Sequence, residues 1–169
     1  MKRPSLRATA RVALVTSAMC ALSLVRIPTP VPVTLQTFSV LFALFFLGRK
    51  GGLAATLLYL VLGLLGLPIF SAGGGLSALL SPTGGYVAGL LLLALVYLFA
   101  ADAPSPRRAL LVGGAALFSC LTVGGVCFAL YTAAPPSAAV LVTLPFLPLE
   151  AAKLFFAHFF ARKLKQLTN

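Results

Sequence analysis

The sequence predicts an all-α integral membrane protein, a bundle of six membrane-crossing helices. Of its 169 residues, 60% are hydrophobic and 9% are charged, and the mean hydropathy is +1.08. Residues 51–101 and residues 109–149 contain no charged side chain. Each stretch is long enough for two crossings of about 20 residues. A β-barrel is not expected, because its strands would alternate polar and apolar residues in segments of about ten.

Proline and glycine positions divide the chain into these six helices. The first ends before a cluster of prolines at residues 28–32, because prolines cannot continue a helix. A tight basic turn at residues 49–52 separates the second helix from the third, which stops at Pro68. The amino-terminal segment resembles a signal peptide, and we interpret it as a retained first helix. One domain over residues 1–169 is expected, with helices at about 6–24, 34–47, 53–67, 85–101, 109–131 and 138–161.

The basic residues indicate the orientation of the bundle. With six crossings, four clusters fall on one face and only Arg26 falls on the other. Basic loops remain on the inner side of a membrane, so both termini are expected in the cytoplasm and the protein in the cytoplasmic membrane. Nucleic-acid binding is not expected, despite a net charge of +11, since no basic helix face is interleaved with aromatic residues. The clusters are Lys2, Arg3, Arg7 and Arg11; Arg49 and Lys50; Arg107 and Arg108; and Arg162, Lys163 and Lys165.

The residue inventory argues against an enzyme. The chain has two acidic residues and one histidine, with no HExxH sequence and no Walker motif. The three cysteines lie in apolar segments without acidic or histidine neighbours, so no metal site is expected, and no cofactor is predicted. Because the chain lacks an ATPase motif, active transport would need an external energy source.

Glu150 and Lys153 are the strongest candidates for a functional site. They lie three positions apart in an apolar helix and therefore share one face. Ionisable residues inside a membrane are costly and usually functional. An ammonium can hold a ligand carboxylate, and a carboxylate can accept N–H groups of a urea or amide. A purely structural ion pair is the alternative. Pro145 and Pro148 leave open whether the sixth helix begins near them or is kinked there.

Other candidates are less specific. Thr34 and Gln36 begin the second helix and could contact a ligand or satisfy backbone groups at the helix end. The sequence SPTGGY, at residues 81–86, resembles a capped helix start, but no lysine follows its glycines as in a phosphate loop. The apolar loop at residues 70–85 is expected to fold over the bundle as a lid. His158 is interpreted as a packed residue.

The first helix has a stripe of small side chains every four residues. Such a stripe allows another helix to approach closely, either within the bundle or on a partner membrane protein, and the spacing alone favours packing within the bundle. The stripe consists of Thr9, Ala13, Ser17 and Ala21.

The chain resembles the BioY family, the biotin-specific substrate-binding (S) components of energy-coupling-factor (ECF) vitamin transporters. The resemblance lies in IPTPVPVTLQTFSVLFALFFLGRKGG, LYLVLGLLGLPIF, GGGLSALLSPTGGYVAG and LPFLPLEAAKLFFA, which together cover most of residues 27–157. It implies an ECF S-component-like bundle that binds biotin from the outside. Family members typically have Asp and Lys as ligand contacts at the positions of Glu150 and Lys153, so glutamate here adds one methylene.

The resemblance also bears on the remaining candidates. It implies pocket roles for Gln36 and for the SPTGGY segment, namely Thr83, Gly84, Gly85 and Tyr86. For the small-residue stripe it favours docking on an ECF coupling module, a transmembrane coupling protein with two ATPases, although some BioY-like proteins are thought to act alone. Two other functions stay open at this point: an S-component-like transporter for another small vitamin or metabolite, and a membrane assembly factor in which the charged pair is structural.

Overall fold

The computed structural model describes residues 5–29, 31–100, 105–135 and 137–168. Helix α1 spans Leu6–Ser23, and a two-stranded antiparallel hairpin follows, β1 (Arg26–Ile27) with β2 (Val33–Thr34). The remaining elements are α2 (Gln36–Leu64), α3 (Leu76–Leu79), α4 (Gly84–Phe99), α5 (Pro106–Tyr131), α6 (Ser137–Thr143), a 3-10 turn (Leu144–Phe146) and α7 (Leu147–Thr168). Lys2, Arg3, Pro30, Asp102 and Pro136, on which parts of the sequence argument depend, lie outside the described residues.

Helix α2 is a hairpin of two antiparallel helical halves. On a straight helix Gln36 and Tyr59 would be roughly 35 Å apart, yet the Gln36 Nε2 donates to the Tyr59 hydroxyl at 2.9 Å. The reversal is at Gly48, with φ 78° and ψ 176°, a conformation open to glycine only. The turn predicted at residues 49–52 is therefore wrong by a few residues, because those residues are helical and one glycine suffices to reverse the chain.

Within the described residues the chain runs through the bundle six times as helix, as the sequence predicted. The six helical segments are α1, the two halves of α2, α4, α5 and the segment from α6 to α7. Helix α1 packs on α2, α4 packs on α5, and α2 also contacts α4 and α7. By length and composition alone, three helical segments in the described part of the chain are long and apolar enough to cross a membrane: Gln36–Leu64 taken across the Gly48 reversal, Pro106–Tyr131 and Ser137–Leu167. Helix α4 is a shorter apolar helix.

The last pass differs from the single helix predicted at residues 138–161. It begins at Ser137, is interrupted by the 3-10 turn at Leu144–Phe146, and continues to Thr168. The interruption coincides with Pro145, which has no N–H to donate to the preceding turn. Of the two possibilities left open by the prolines, the kinked helix is therefore correct, and Glu150 lies beyond the kink in the first turn of α7.

The loop after α2 lies against the bundle. The Phe70 ring is fully buried and packs edge-on against Tyr59, with ring centroids 5.7 Å apart. The short helix α3 interrupts this loop. The loop is thereby held over the same end of the bundle as the β-hairpin, since the Arg26 Nη1 in β1 donates to the Ser71 carbonyl oxygen at 2.8 Å.

Candidate functional site

A cleft lies between the β-hairpin, the loop after α2 and helices α4, α5 and α7. Its cavity volume is about 50 Å³, and with its open mouth it includes about 510 Å³ of empty space. Half of the fourteen lining residues have apolar side chains and half have polar ones. They are Val31, Pro32, Val33, Thr34, Gln36, Thr37, Ser71, Thr83, Tyr86, Leu90, Cys120, Leu121, Phe146 and Glu150.

Glu150 and Lys153 form a buried ion pair beside this cleft. The Lys153 Nζ donates to Glu150 Oε1 at 2.5 Å. The two residues are only 5% and 7% exposed. Because they lie three positions apart on α7, the helix itself holds both side chains on one face.

The ammonium of Lys153 has two further acceptors. It donates to the Thr34 carbonyl oxygen at 2.7 Å and to the Thr37 hydroxyl at 3.5 Å. A lysine ammonium has three N–H donors. Lys153 therefore ties α7 to the junction of β2 and α2, and two of its three N–H groups are committed to short bonds with Glu150 and Thr34.

Glu150 has one oxygen to spare. Its Oε2 is buried and has no hydrogen-bond partner within the described residues, and Glu150 lines the cleft. Buried polar atoms are almost always hydrogen-bonded, so an unpartnered carboxylate oxygen on a cleft wall is suited to accept an N–H from a ligand.

Tyr86 provides a second polar group at the cleft. Its buried hydroxyl makes no hydrogen bond of ordinary geometry among the described residues; it interacts with the Thr143 hydroxyl, whose own hydrogen is donated to the Ala139 carbonyl oxygen at 2.6 Å. The Tyr86 ring lies against Gly124 of α5, where a Cβ would be 2.1 Å from Tyr86 Cδ1. The ring position therefore depends on the absence of a side chain at residue 124.

Gln36 lines the cleft, but its amide is already hydrogen-bonded. Its Nε2 donates to Tyr59, and its Oε1 accepts from the Thr34 hydroxyl at 3.1 Å. Tyr59 in turn donates to the Ile69 carbonyl oxygen at 2.9 Å. These bonds hold the two halves of α2 and the following loop together, so Gln36 shapes the cleft wall.

The SPTGGY segment contributes unequally to the cleft. The Thr83 Oγ1 lies 3.2 Å from the hydroxyl oxygens of both Ser71 and Ser81, and Thr83 lines the cleft. Gly84 and Gly85 are not among the lining residues: they lie against the Leu79 carbonyl and the Cys127 side chain, respectively. These two glycines therefore permit close packing beside the cleft and do not form its wall.

The small-residue stripe of α1 lies on the surface of the described structure. Its members, Thr9, Ala13, Ser17 and Ala21, are all exposed. The opposite side of α1, with Val15, Thr16 and Met19, is buried, and the Thr16 hydroxyl reaches the Ala55 carbonyl oxygen at 3.4 Å. Packing within the bundle, which the spacing alone favoured, therefore does not explain the stripe.

Comparison with known proteins places this geometry in a family. The sequence matches the BioY family over residues 1–169. The chain belongs to the BioY family. It is 35% identical to the biotin transporter BioY of Thermotoga maritima over 82% of this chain and 83% of the relative. It is 47% identical to a probable biotin transporter BioY of Lysinibacillus sphaericus, over 43% of this chain and only 37% of that protein.

The fold of this BioY chain is also known from a solved structure. A crystal structure of the S-component for biotin from an ECF-type ABC transporter superposes with a TM-score of 0.86 at 25% identity, covering 95% of this chain and 92% of the other. The predicted all-α, S-component-like fold is thereby confirmed.

Several wall residues of the BioY cleft were missed by the sequence argument. Thr37 bonds Lys153, Ser71 bonds Thr83, and Phe146 closes one side from the 3-10 turn. Cys120, one of the three cysteines for which no metal site was expected, is fully buried and also lines the cleft. For Thr37 a signal existed, because it follows Gln36 on the same helical turn. For the others, only the packing of distant segments brings them to the site.

Proposed function

We propose that this chain is the biotin-binding subunit of a transporter that takes up biotin across the cytoplasmic membrane, and that it is not an enzyme. One observation is central: the buried Glu150 Oε2 is an unpartnered acceptor on the wall of a cleft half lined by apolar side chains. Biotin has a ureido ring with two N–H groups, an apolar ring system and a carboxylate tail. The ureido N–H suits the Glu150 oxygen, and the apolar ring suits the apolar part of the wall.

The names of the relatives and the likeness to a biotin S-component support the choice of ligand. We propose roles for the site residues on the same basis. Glu150 accepts a ureido N–H and Tyr86 bonds a second polar atom of biotin. Lys153 orients Glu150 and the β2–α2 junction, while Gln36 and Thr83, with Gly84 and Gly85 behind them, shape the wall.

The cleft must widen to admit biotin. Its cavity volume of about 50 Å³ is well below the roughly 300–1,000 Å³ of typical small-molecule pockets. Two parts of the cleft wall, the loop at residues 70–85 and the turn at Leu144–Phe146, are not built from long helices. They are therefore the segments expected to move when biotin binds. We place the cleft on the outer side of the membrane and both termini in the cytoplasm, since the basic clusters lie at the other end of the bundle.

The exposed stripe on α1 is proposed to dock on an ECF coupling module, a transmembrane coupling protein with two ATPases. Small side chains allow close helix approach, and all four stripe residues are exposed. Biotin uptake by cells that express this chain with and without such a module determines whether it needs the module or acts alone.

The test is biotin binding by the purified chain in detergent, measured by isothermal titration calorimetry, with riboflavin and thiamine as competitors. Glu150→Gln should weaken biotin binding at least tenfold, because a charge-assisted hydrogen bond contributes roughly 1.5–3 kcal/mol. Lys163→Gln, which removes an exposed charge from the same helix, is the matched control. Unchanged binding in Glu150→Gln would exclude the proposed site, and stronger competition by riboflavin or thiamine than by biotin would assign another vitamin.

Biotin analogues distinguish which end meets Glu150. An analogue methylated on a ureido nitrogen should bind weakly and equally to the native chain and Glu150→Gln. Biotin methyl ester should still bind the native chain more tightly than the variant. The reverse result would place the carboxylate tail at α7.

A further inference from the structure

A second cavity lies at the basic end of the bundle, away from the cleft. It has a volume of about 470 Å³, and its walls include Arg49 after the Gly48 turn, Ser105 before α5, and Arg162 and Lys165 on α7. Arg162 is twelve residues beyond Glu150 on the same helix, or roughly 18 Å at 1.5 Å per residue. The cavity is therefore separate from the proposed biotin site.

The described walls of this cavity are rich in basic side chains. Three of its side chains are cationic, and none of its lining residues in the described part of the chain is acidic. Arg49 is held in position by bonds from its Nη1 to the carbonyl oxygens of Ala100, at 2.6 Å, and Leu98, at 3.4 Å. Guanidinium and ammonium groups arranged around one space match the charge and hydrogen-bonding geometry of a phosphate group.

An apolar groove continues from the cavity onto the outer surface between α5 and α7. The groove has a volume of about 530 Å³ and shares Pro106, His158 and Arg162 with the cavity. Its apolar wall includes Phe155 and Phe159, which are 57% and 50% exposed. From Arg162 back to Phe155 the groove extends roughly 10 Å along α7, toward the middle of the membrane-crossing segment.

We propose that the basic cavity and the groove together bind one anionic phospholipid. The phosphate group lies between Arg162 and Lys165, and an acyl chain lies along Phe155 and Phe159. Basic pockets between transmembrane helices bind anionic headgroups in this way. A soluble phosphate ester has the same headgroup chemistry, but it would leave the groove empty, so the continuous groove favours a lipid.

The test is native mass spectrometry of the purified full chain in detergent, titrated with dimyristoylphosphatidylglycerol. Two control compounds show which part of the lipid is recognised. Dimyristoylphosphatidylcholine has the same acyl chains but no net charge, and glycerol 3-phosphate has the phosphate but no acyl chain. The cavity variant is Arg162→Gln with Lys165→Gln. Its matched control is Arg107→Gln with Arg108→Gln, which removes two charges at the same end of the bundle from residues that line neither space.

The groove is tested by Phe155→Ala with Phe159→Ala. The control is Phe156→Ala with Phe160→Ala, an equally spaced exposed pair on α7 that does not line the groove. Circular dichroism verifies that each variant is folded. Should the cavity variant not fold, Arg162→Gln alone, at an exposed position, replaces it.

We expect one phosphatidylglycerol to bind to the native chain. In the cavity variant its Kd should rise about thirtyfold, because each of the two basic residues removed typically contributes about 1 kcal/mol to the binding of anionic lipid. The groove variant should also weaken binding, and both controls should bind as the native chain does. Equal losses in the cavity variant and the Arg107/Arg108 control would overturn the proposal in favour of diffuse charge attraction. Displacement of the lipid by glycerol 3-phosphate, with no effect of the groove variant, would overturn it in favour of a soluble anion site.

Discussion

Replacing Lys153 with methionine should destabilise the fold strongly. Methionine keeps the length of the side chain as far as Cε but removes the ammonium group and its three hydrogen bonds: to Glu150 at 2.5 Å, to the Thr34 carbonyl oxygen at 2.7 Å and to Thr37 at 3.5 Å. It also leaves the Glu150 carboxylate, which is 5% exposed, without its counter-ion. Removing one member of a buried ion pair typically costs about 3–5 kcal/mol, and we expect a loss in this range.

A second replacement, Glu150→Gln, shows how much of the lost stability comes from leaving the Glu150 carboxylate buried without its counter-ion. Alone it should cost less, about 1–3 kcal/mol, because the ammonium keeps its Thr34 and Thr37 acceptors. In the double variant with Lys153→Met no buried charge remains, so its cost should be well below the sum of the two single costs. The expected coupling free energy is about 2–4 kcal/mol, above the scatter of about 0.5 kcal/mol for independent sites.

The assay is equilibrium unfolding of the purified chain in mixed micelles by titration with sodium dodecyl sulfate. The chain has no tryptophan, so helix content is followed by far-ultraviolet circular dichroism. Lys163→Met, at an exposed position on the same helix, is the control and should change the free energy of unfolding by less than about 0.5 kcal/mol. Additive costs in the double variant would refute the claim that Lys153 and Glu150 act as one buried unit.

Three further variants test other parts of the structure. Tyr86→Phe should weaken biotin binding about fivefold to tenfold in calorimetry with no loss of stability, since the hydroxyl makes no hydrogen bond of ordinary geometry within the described residues; equal affinities would remove this hydroxyl from the site. Gly124→Ala should weaken binding more, because its Cβ would be 2.1 Å from Tyr86 Cδ1, whereas Gly114→Ala, with 3.6 Å to its nearest atom, should be harmless. Gly48→Ala should lower the free energy of unfolding by about 1–3 kcal/mol through backbone strain alone, since no atom lies within 4 Å of the added Cβ; an unchanged value would mean that the turn does not require glycine.

Patterns within single segments predicted most of the fold. Long uncharged stretches required membrane helices, and the alternation of basic clusters required an even number of crossings, which the six helical passes match. The exact reversal in α2 was missed because glycine occurs at residues 48, 51 and 52. Composition cannot distinguish which of these takes a positive φ, and only the backbone shows that it is Gly48.

The site was predictable only where its residues are close in the sequence. Glu150 and Lys153 share a helix face by spacing alone, so their contact followed from the sequence. Lys153 and its acceptor Thr34 are 119 positions apart, and no periodicity relates them. The contact of Tyr86 with Gly124 depends on how α4 and α5 pack together, which hydropathy does not specify.

These distant contacts change the interpretation of the charged pair. From the sequence, the simplest match was Lys153 with a ligand carboxylate, because the two charges are opposite. In the folded chain the N–H groups of Lys153 are directed at protein acceptors, whereas Glu150 has one oxygen engaged and one buried oxygen without a partner in the described residues. The longer reach of glutamate, compared with the aspartate typical of this position, is consistent with this division, since one carboxylate must contact Lys153 on the helix and a ligand in the cleft at the same time. We therefore propose that the acid is the member of the pair that contacts a ligand, and that the lysine fixes where that acid points.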